Sequence, residues 1–187
     1  FRVLASKMST EKDLKSYLEE SFEERTDFYN TASFLSHTTD SIQSIASLIS
    51  SSLQKGNKLM FCGNGGSAAM ASHVSVDLTK QAGIRTVNFN EADLITCFAN
   101  DYGYENWVQK ALSFYADKGD LIILISSSGK SKNMINACTA ARNKKISKII
   151  TFTGHDKNNP LSKLGDINFW INSKAYNFVE NTHQVWL

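Results

Sequence analysis

Two polar loops carry the residues best suited to hold an anion. The first is Gly63-Asn64-Gly65-Gly66-Ser67, which follows a short apolar run from Lys58 to Cys62 and precedes a helical pattern free of Gly and Pro. A strand, a glycine turn and a helix N-terminus in succession form a cradle: the backbone can approach a ligand closely, and the first free N–H groups of the helix point at it. The second is Ser126-Ser127-Ser128-Gly129-Lys130-Ser131, between the apolar run Asp120 to Ile125 and another helical pattern. Hydroxyls and free N–H groups suit a phosphate dianion. A serine-rich turn with an N-cap has the same composition, so each loop gains weight only from its relation to the other.

A titratable pair accompanies them. His73 and Asp77 are four apart on the helix after the glycine turn and therefore share a face. Such a pair can bind a metal or move protons, although a structural hydrogen bond is commoner. Glu180 and His183, three apart on the last helix, form a second weak pair. His37 and His155 have no such context and are expected at the surface. Gly63, Gly65 and Ala68 also satisfy G-x-G-x-x-G/A, with Glu91 after the next strand, as a dinucleotide site would. The serine cluster is not part of that fingerprint, and no GK[ST] follows the glycine turn as a Walker loop requires.

The elements that must position these loops alternate. Strands are predicted at Lys58–Cys62, Arg85–Phe89, Asp120–Ile125, Lys148–Phe152 and Ile167–Ile171. Helices fall after the glycine turn, at Glu91–Ala99, at Glu105–Tyr115, from the serine loop to about Asn143, and from near Asn177. Two amphipathic helices precede them: residues 10–30, with Leu14, Tyr17, Leu18 and Phe22 on one stripe, and residues 38–54, with Ile42, Ile45, Leu48, Ile49 and Leu53. Their apolar faces could pack on a partner subunit or on their own sheet. The alternation implies an α/β, three-layer, doubly wound fold with a five-stranded parallel sheet in flavodoxin-like order 2-1-3-4-5. That order puts the loops after the first and third strands on either side of the switch point, where ligands bind in such sheets.

Composition bounds the rest. A chain of 187 residues with 42% hydrophobic and 20% charged residues reads as one soluble domain, residues 9–187, after a tail at 1–8. The net charge of +2, without a Lys/Arg block, argues against nucleic-acid binding by charge alone, and no run is apolar enough for a membrane span. Cys62, Cys97 and Cys138 are expected as buried free thiols in a reducing, cytoplasmic setting. The last helix is expected to be cut short at Leu187.

GNGGSAAMASH, FANDYG and ISSSGKSKN, in this order and spacing, resemble the sugar-isomerase (SIS) domain family, in its branch that isomerises sedoheptulose 7-phosphate. The resemblance runs from about residue 10. It implies a homotetramer with sites between subunits and no nucleotide. It implies sugar binding by Asn64, Gly65, Gly66, Ser67, Asn100 and Asp101, and phosphate binding by Ser126, Ser127, Ser128 and Ser131. It also implies enediol proton transfer involving His73, Asp77 and Glu180, and zinc on the same three residues in some members. Asp77 stands where the family usually has Glu, and Glu180 where it has Gln. The other reading it leaves open is a non-catalytic phosphosugar-binding protein that acts through protein contacts.

Overall fold

The computed structural model describes residues 32–53 and 56–187, together with Ser16, Glu19, Glu23 and Thr26. Those four are helical and exposed, and their spacing of three and four puts them on one face of the helix read at residues 10–30. Its apolar stripe, Leu14, Tyr17, Leu18 and Phe22, lies outside the described residues, as does the side chain of His37. The chain divides into two compact units, Phe1–Ile45 and Ala46–Leu187. Helix α1 (Ala32–Leu53) begins in the first and ends in the second, starting earlier than its apolar spacing indicates.

The second unit holds the alternating elements. They run β1 (Leu59–Cys62), α2 (Gly66–Ala82), β2 (Thr86–Asn88), α3 (Ala92–Tyr102), α4 (Trp107–Tyr115) and β3 (Leu121–Ser126). Then come α5 (Lys132–Asn143), β4 (Lys148–Thr153), a short 3-10 turn at Leu161–Lys163, β5 (Ile167–Trp170) and α6 (Tyr176–Trp186). The five strands form a sheet in the order β2-β1-β3-β4-β5, every pair parallel. Met60 lies opposite Ile122, and Phe61 opposite Ile123.

The two-residue period of a strand sorts its side chains into the two outer layers. Met60, Cys62, Ile122 and Leu124 join a core with Trp107, Val108 and Leu112 of α4 and Met134, Ala137 and Ala141 of α5; Leu94, Ile95 and Phe98 of α3 pack against it. The alternate residues Leu59, Phe61, Ile123 and Ile125 are equally buried and face the other layer. Helix α2 packs there against β1 and β2. This follows from right-handed crossovers: the chain steps one way from β1 to β2 and the other way to β3, so the connecting helices fall on opposite faces.

At the end of the sheet away from the two polar loops, a buried ion cluster clamps the entries to β1 and β3. Lys58 Nζ sits 2.6 Å from Asp120 Oδ2 and 2.7 Å from Asp117 Oδ2. The Lys58 backbone N–H donates to Asp120 Oδ1 at 2.9 Å, and the Asp117 N–H to Asp120 Oδ2 at 2.8 Å. Burial works against the ammonium, but hydrogen bonds to Asp117 and Asp120 outweigh it and hold Lys58 above its ordinary value. The bond to Lys58 likewise holds Asp117 below the usual carboxylate range. The contribution of Lys58 is therefore complete below its unfolded value of 10.5 and is lost as pH rises through the higher folded value. Asp120→Ala, which leaves the buried ammonium with only an exposed partner, is expected to cost about 3 kcal/mol in urea unfolding at neutral pH. A cost within experimental error would show that the clamp contributes nothing.

Candidate functional site

Strands β1 and β3 are neighbours, so the turns leaving their C-terminal ends must face one another across the switch point. Side chains join them directly. Asn64 Nδ2 donates to Asn133 Oδ1 at 2.9 Å, and Asn133 Nδ2 returns a bond to Asn64 Oδ1 at 2.8 Å. Asn133 stands in the first turn of α5, directly after the serine loop. A third segment arrives from the α3–α4 connection, where the Tyr104 hydroxyl donates to Asn64 Oδ1 at 3.2 Å. The glycine turn, the serine loop and the segment after Asn100-Asp101 therefore border one crevice. Asn133 and Tyr104 were missing from the residues picked out by sequence. Their signal was present, since both lie within or beside the quoted motifs, but their common partner is 69 and 40 residues away.

The serine loop is ordered by its own hydroxyls and by the start of the next helix. Ser126 and Ser127 are buried at the end of β3. Ser126 Oγ donates to Ser131 Oγ at 3.0 Å, and Ser128 Oγ accepts the Lys130 N–H at 3.2 Å. Gly129 turns the chain with φ +64°, and a Cβ there would run into the Asn159 side chain, so only glycine fits. The Ser131 carbonyl accepts the Met134 and Ile135 N–H groups at 3.1 Å each, which starts α5 and leaves its earlier N–H groups for a ligand. Ser127 Oγ is buried without a hydrogen-bond partner among the described residues. A buried hydroxyl left in this way needs an explanation, and a bound acceptor oxygen supplies one.

Glu180 reaches the other side of the crevice. A Cβ on Gly66 would lie 2.8 Å from its Oε1 and 2.9 Å from its Oε2, so the carboxylate rests on the first residue of α2 and would have to shift to admit any other side chain there. Burial pushes the Glu180 carboxyl above its ordinary value. Ser67, beside Gly66, is buried, and its N–H donates to the Asn64 carbonyl at 3.0 Å. Asn100 and Asp101 are exposed at the end of α3, with Asn100 Nδ2 donating to Asp101 Oδ1 at 3.0 Å.

His73 and Asp77 do pair, with Nε2 3.2 Å from Oδ2, but their side chains are 67% and 48% exposed. They share the face of α2 that carries Gly66. At about 1.5 Å rise per residue they stand roughly 10 and 16 Å along the helix from it. A zinc site needs three or four ligands, and among the described residues no three His, Cys, Asp or Glu side chains converge to hold a metal. The donors His73, Asp77 and Glu180 of one chain therefore do not fit zinc as a set.

The remaining histidines depart from expectation. His183 does not pair with Glu180: it is fully buried, its Nε2 bonds the Thr153 carbonyl at 3.2 Å, and burial pushes its pKa down to about 4. It is a neutral core residue set edge-on to Phe152. His155 is half-buried rather than at the surface; its Nε2 is enclosed and its ring stands edge-on to Tyr176. Cys62 and Cys138 are buried free thiols, pushed by burial to about 12 and about 11, whereas Cys97 is exposed. No helix among the described residues is long and apolar enough to cross a membrane.

Comparison with known proteins adds the lineage. The SIS-domain model matches residues 28–154, more than half of the chain. The chain belongs to the SIS-domain family. Among its SIS-domain relatives, a phosphoheptose isomerase of Glaesserella parasuis is 37% identical over 136 residues, 70% of each chain. Another, of Aliarcobacter butzleri, is 37% identical over 137 residues, covering 70% of this chain and 71% of that one. The solved phosphoheptose isomerase of Neisseria gonorrhoeae superposes with a TM-score of 0.84 at 26% identity, over 92% of this chain and 94% of that one. A Francisella tularensis phosphoheptose isomerase shares the fold at TM-score 0.81 and 23% identity.

The carboxylate at Gly66 gives this SIS-domain chain a stability signature. Because burial raises the Glu180 value above 4.5, the folded state binds its proton more tightly than the unfolded chain, and the ionised group opposes folding at higher pH. Glu180→Gln is expected to match or slightly exceed the wild-type melting temperature at about pH 8 and to lose that advantage at about pH 4. A clear fall in melting temperature at the higher pH would show instead that the ionised carboxylate stabilises the fold.

Proposed function

We propose that this chain is a phosphoheptose isomerase, converting sedoheptulose 7-phosphate to D-glycero-D-manno-heptose 7-phosphate for lipopolysaccharide or capsule heptose synthesis. The observation that carries the reading is the Asn64–Asn133 amide pair. It joins the glycine turn to the serine loop, where Ser127 Oγ is buried without a hydrogen-bond partner among the described residues. The two named relatives and the Neisseria structure support the same activity. In this reading Ser126, Ser127, Ser128 and Ser131, with the N-terminus of α5, hold the phosphate. Asn64, Gly65, Gly66, Ser67, Asn100 and Asp101 hold the sugar.

Glu180 is the base. In the open-chain ketose it takes the proton from C1; the C1–H electron pair forms the C1–C2 double bond, and the carbonyl oxygen on C2 becomes an enediol hydroxyl by gaining a proton. Return of the carbon-bound proton to C2, with loss of the O1 proton, yields the aldose carbonyl at C1. The reaction is a redistribution of hydrogen and needs no external oxidant. A positioned carboxylate accounts for about 10² to 10⁴ of the acceleration, and burial, which disfavours its charge, makes the ionised Glu180 a stronger proton acceptor than an exposed glutamate. His73 and Asp77, exposed on α2, would serve the site from a neighbouring subunit if the chain assembles as a homotetramer with shared sites, in the cytoplasm.

The test is the purified chain with sedoheptulose 7-phosphate, read by product formation. Turnover is expected. Ser127→Ala is expected to raise KM about 10- to 100-fold, the range for losing a hydrogen bond to a charged group, with little change in kcat. Binding of the sugar phosphate without turnover would reject the isomerase.

A further inference from the structure

The hydrogen-bonding capacity of Asn64 is almost fully used within the protein. Its Oδ1 accepts from Asn133 Nδ2 at 2.8 Å and from the Tyr104 hydroxyl at 3.2 Å, which fills both lone pairs. Its Nδ2 gives one hydrogen to Asn133 Oδ1 at 2.9 Å, and that oxygen is itself fixed by the Met134 N–H at 3.1 Å. One Nδ2 hydrogen remains. In a reciprocal amide pair each nitrogen donates the hydrogen on the same side as its own oxygen, so the spare hydrogen points away from the pair.

An asparagine without such partners can turn its amide over and offer an oxygen where it offered a nitrogen. Here a flip would break both bonds of the amide pair and set Nδ2 against the Asn133 amide nitrogen, and the Tyr104 hydroxyl would have to turn its own proton away to accept instead of donate. We infer that Asn133 and Tyr104 are positioning residues that lock the Asn64 amide as a single donor, so that it selects an acceptor oxygen of the open-chain sugar, the carbonyl at C2 or the oxygen it becomes in the enediol. This rests on the sugar-binding reading of the crevice. Tyr104 is half exposed and comes from a different connection than either loop, so its hydroxyl also ties the α3–α4 segment to the sugar side of the site.

The test is a double-mutant cycle against Asn64→Ala in the full chain, read by kcat/KM on sedoheptulose 7-phosphate, by its calorimetric Kd, and by melting temperature. Tyr104→Phe keeps the ring and removes one hydroxyl. It is expected to lower kcat/KM about 2- to 10-fold with an unchanged melting temperature, and to have no further effect once Asn64 is Ala. Asn133→Asp keeps the shape but cannot donate to Asn64 Oδ1, and a larger loss is expected, again absent in the Asn64→Ala background. Equal losses in both backgrounds, or wild-type kcat/KM in Tyr104→Phe, would overturn the assignment. Wild-type binding without turnover would remove only the isomerase reading, and the cycle is then decided on Kd alone. Failure to bind the sugar phosphate at all would overturn both.

Discussion

The reciprocal amide bond between Asn64 and Asn133 is the constraint on which the site depends. Parallel strands β1 and β3 end side by side, but adjacency alone leaves two flexible polar turns. Two hydrogen bonds of 2.8 and 2.9 Å between the turns fix them to one another. The rest follows from what each wall brings. One carries the opening of α2, with the Glu180 carboxylate against Gly66. The other carries four serines, one of them with a buried hydroxyl that has no hydrogen-bond partner among the described residues.

The fold supports that constraint from both ends. The core residues of β1 and β3 alternate between two helical layers, so a slip by one residue would send every side chain to the opposite layer and disrupt the packing on both faces. At the opposite end, Lys58 ties the start of β1 to Asp120 at the start of β3. The pair of strands is thus held by an ion cluster where they begin and by an amide pair where they end. In the proposed reading such rigidity matters, because a misplacement of about 1 Å at a reacting centre can cost roughly 10²-fold in rate.

Much of this was legible in the sequence. Apolar runs separated by helical patterns gave the strand order, because right-handed crossovers leave few alternatives. The glycine turn and serine loop could be placed at the switch point by counting strands. The side-chain partners were harder. Asn133 reads in sequence as an ordinary first-turn polar residue, and Tyr104 as an exposed aromatic. Only tertiary contact shows that both converge on Asn64. His183 shows the opposite error: three residues from Glu180, it invited pairing, yet the helix turns it into the core while Glu180 faces α2. The spacing of His73 and Asp77 did give their close approach, but spacing along one helix does not say how far from the crevice the pair sits.

The claim that one sugar ester spans the two loops is tested most directly by a crystal structure of the full chain with sedoheptulose 7-phosphate. The account predicts a phosphate oxygen within hydrogen-bonding distance of Ser127 Oγ, the free Nδ2 hydrogen of Asn64 on a sugar oxygen, and C1 next to Glu180. A phosphate bound elsewhere, with Ser127 still unpartnered, would contradict it.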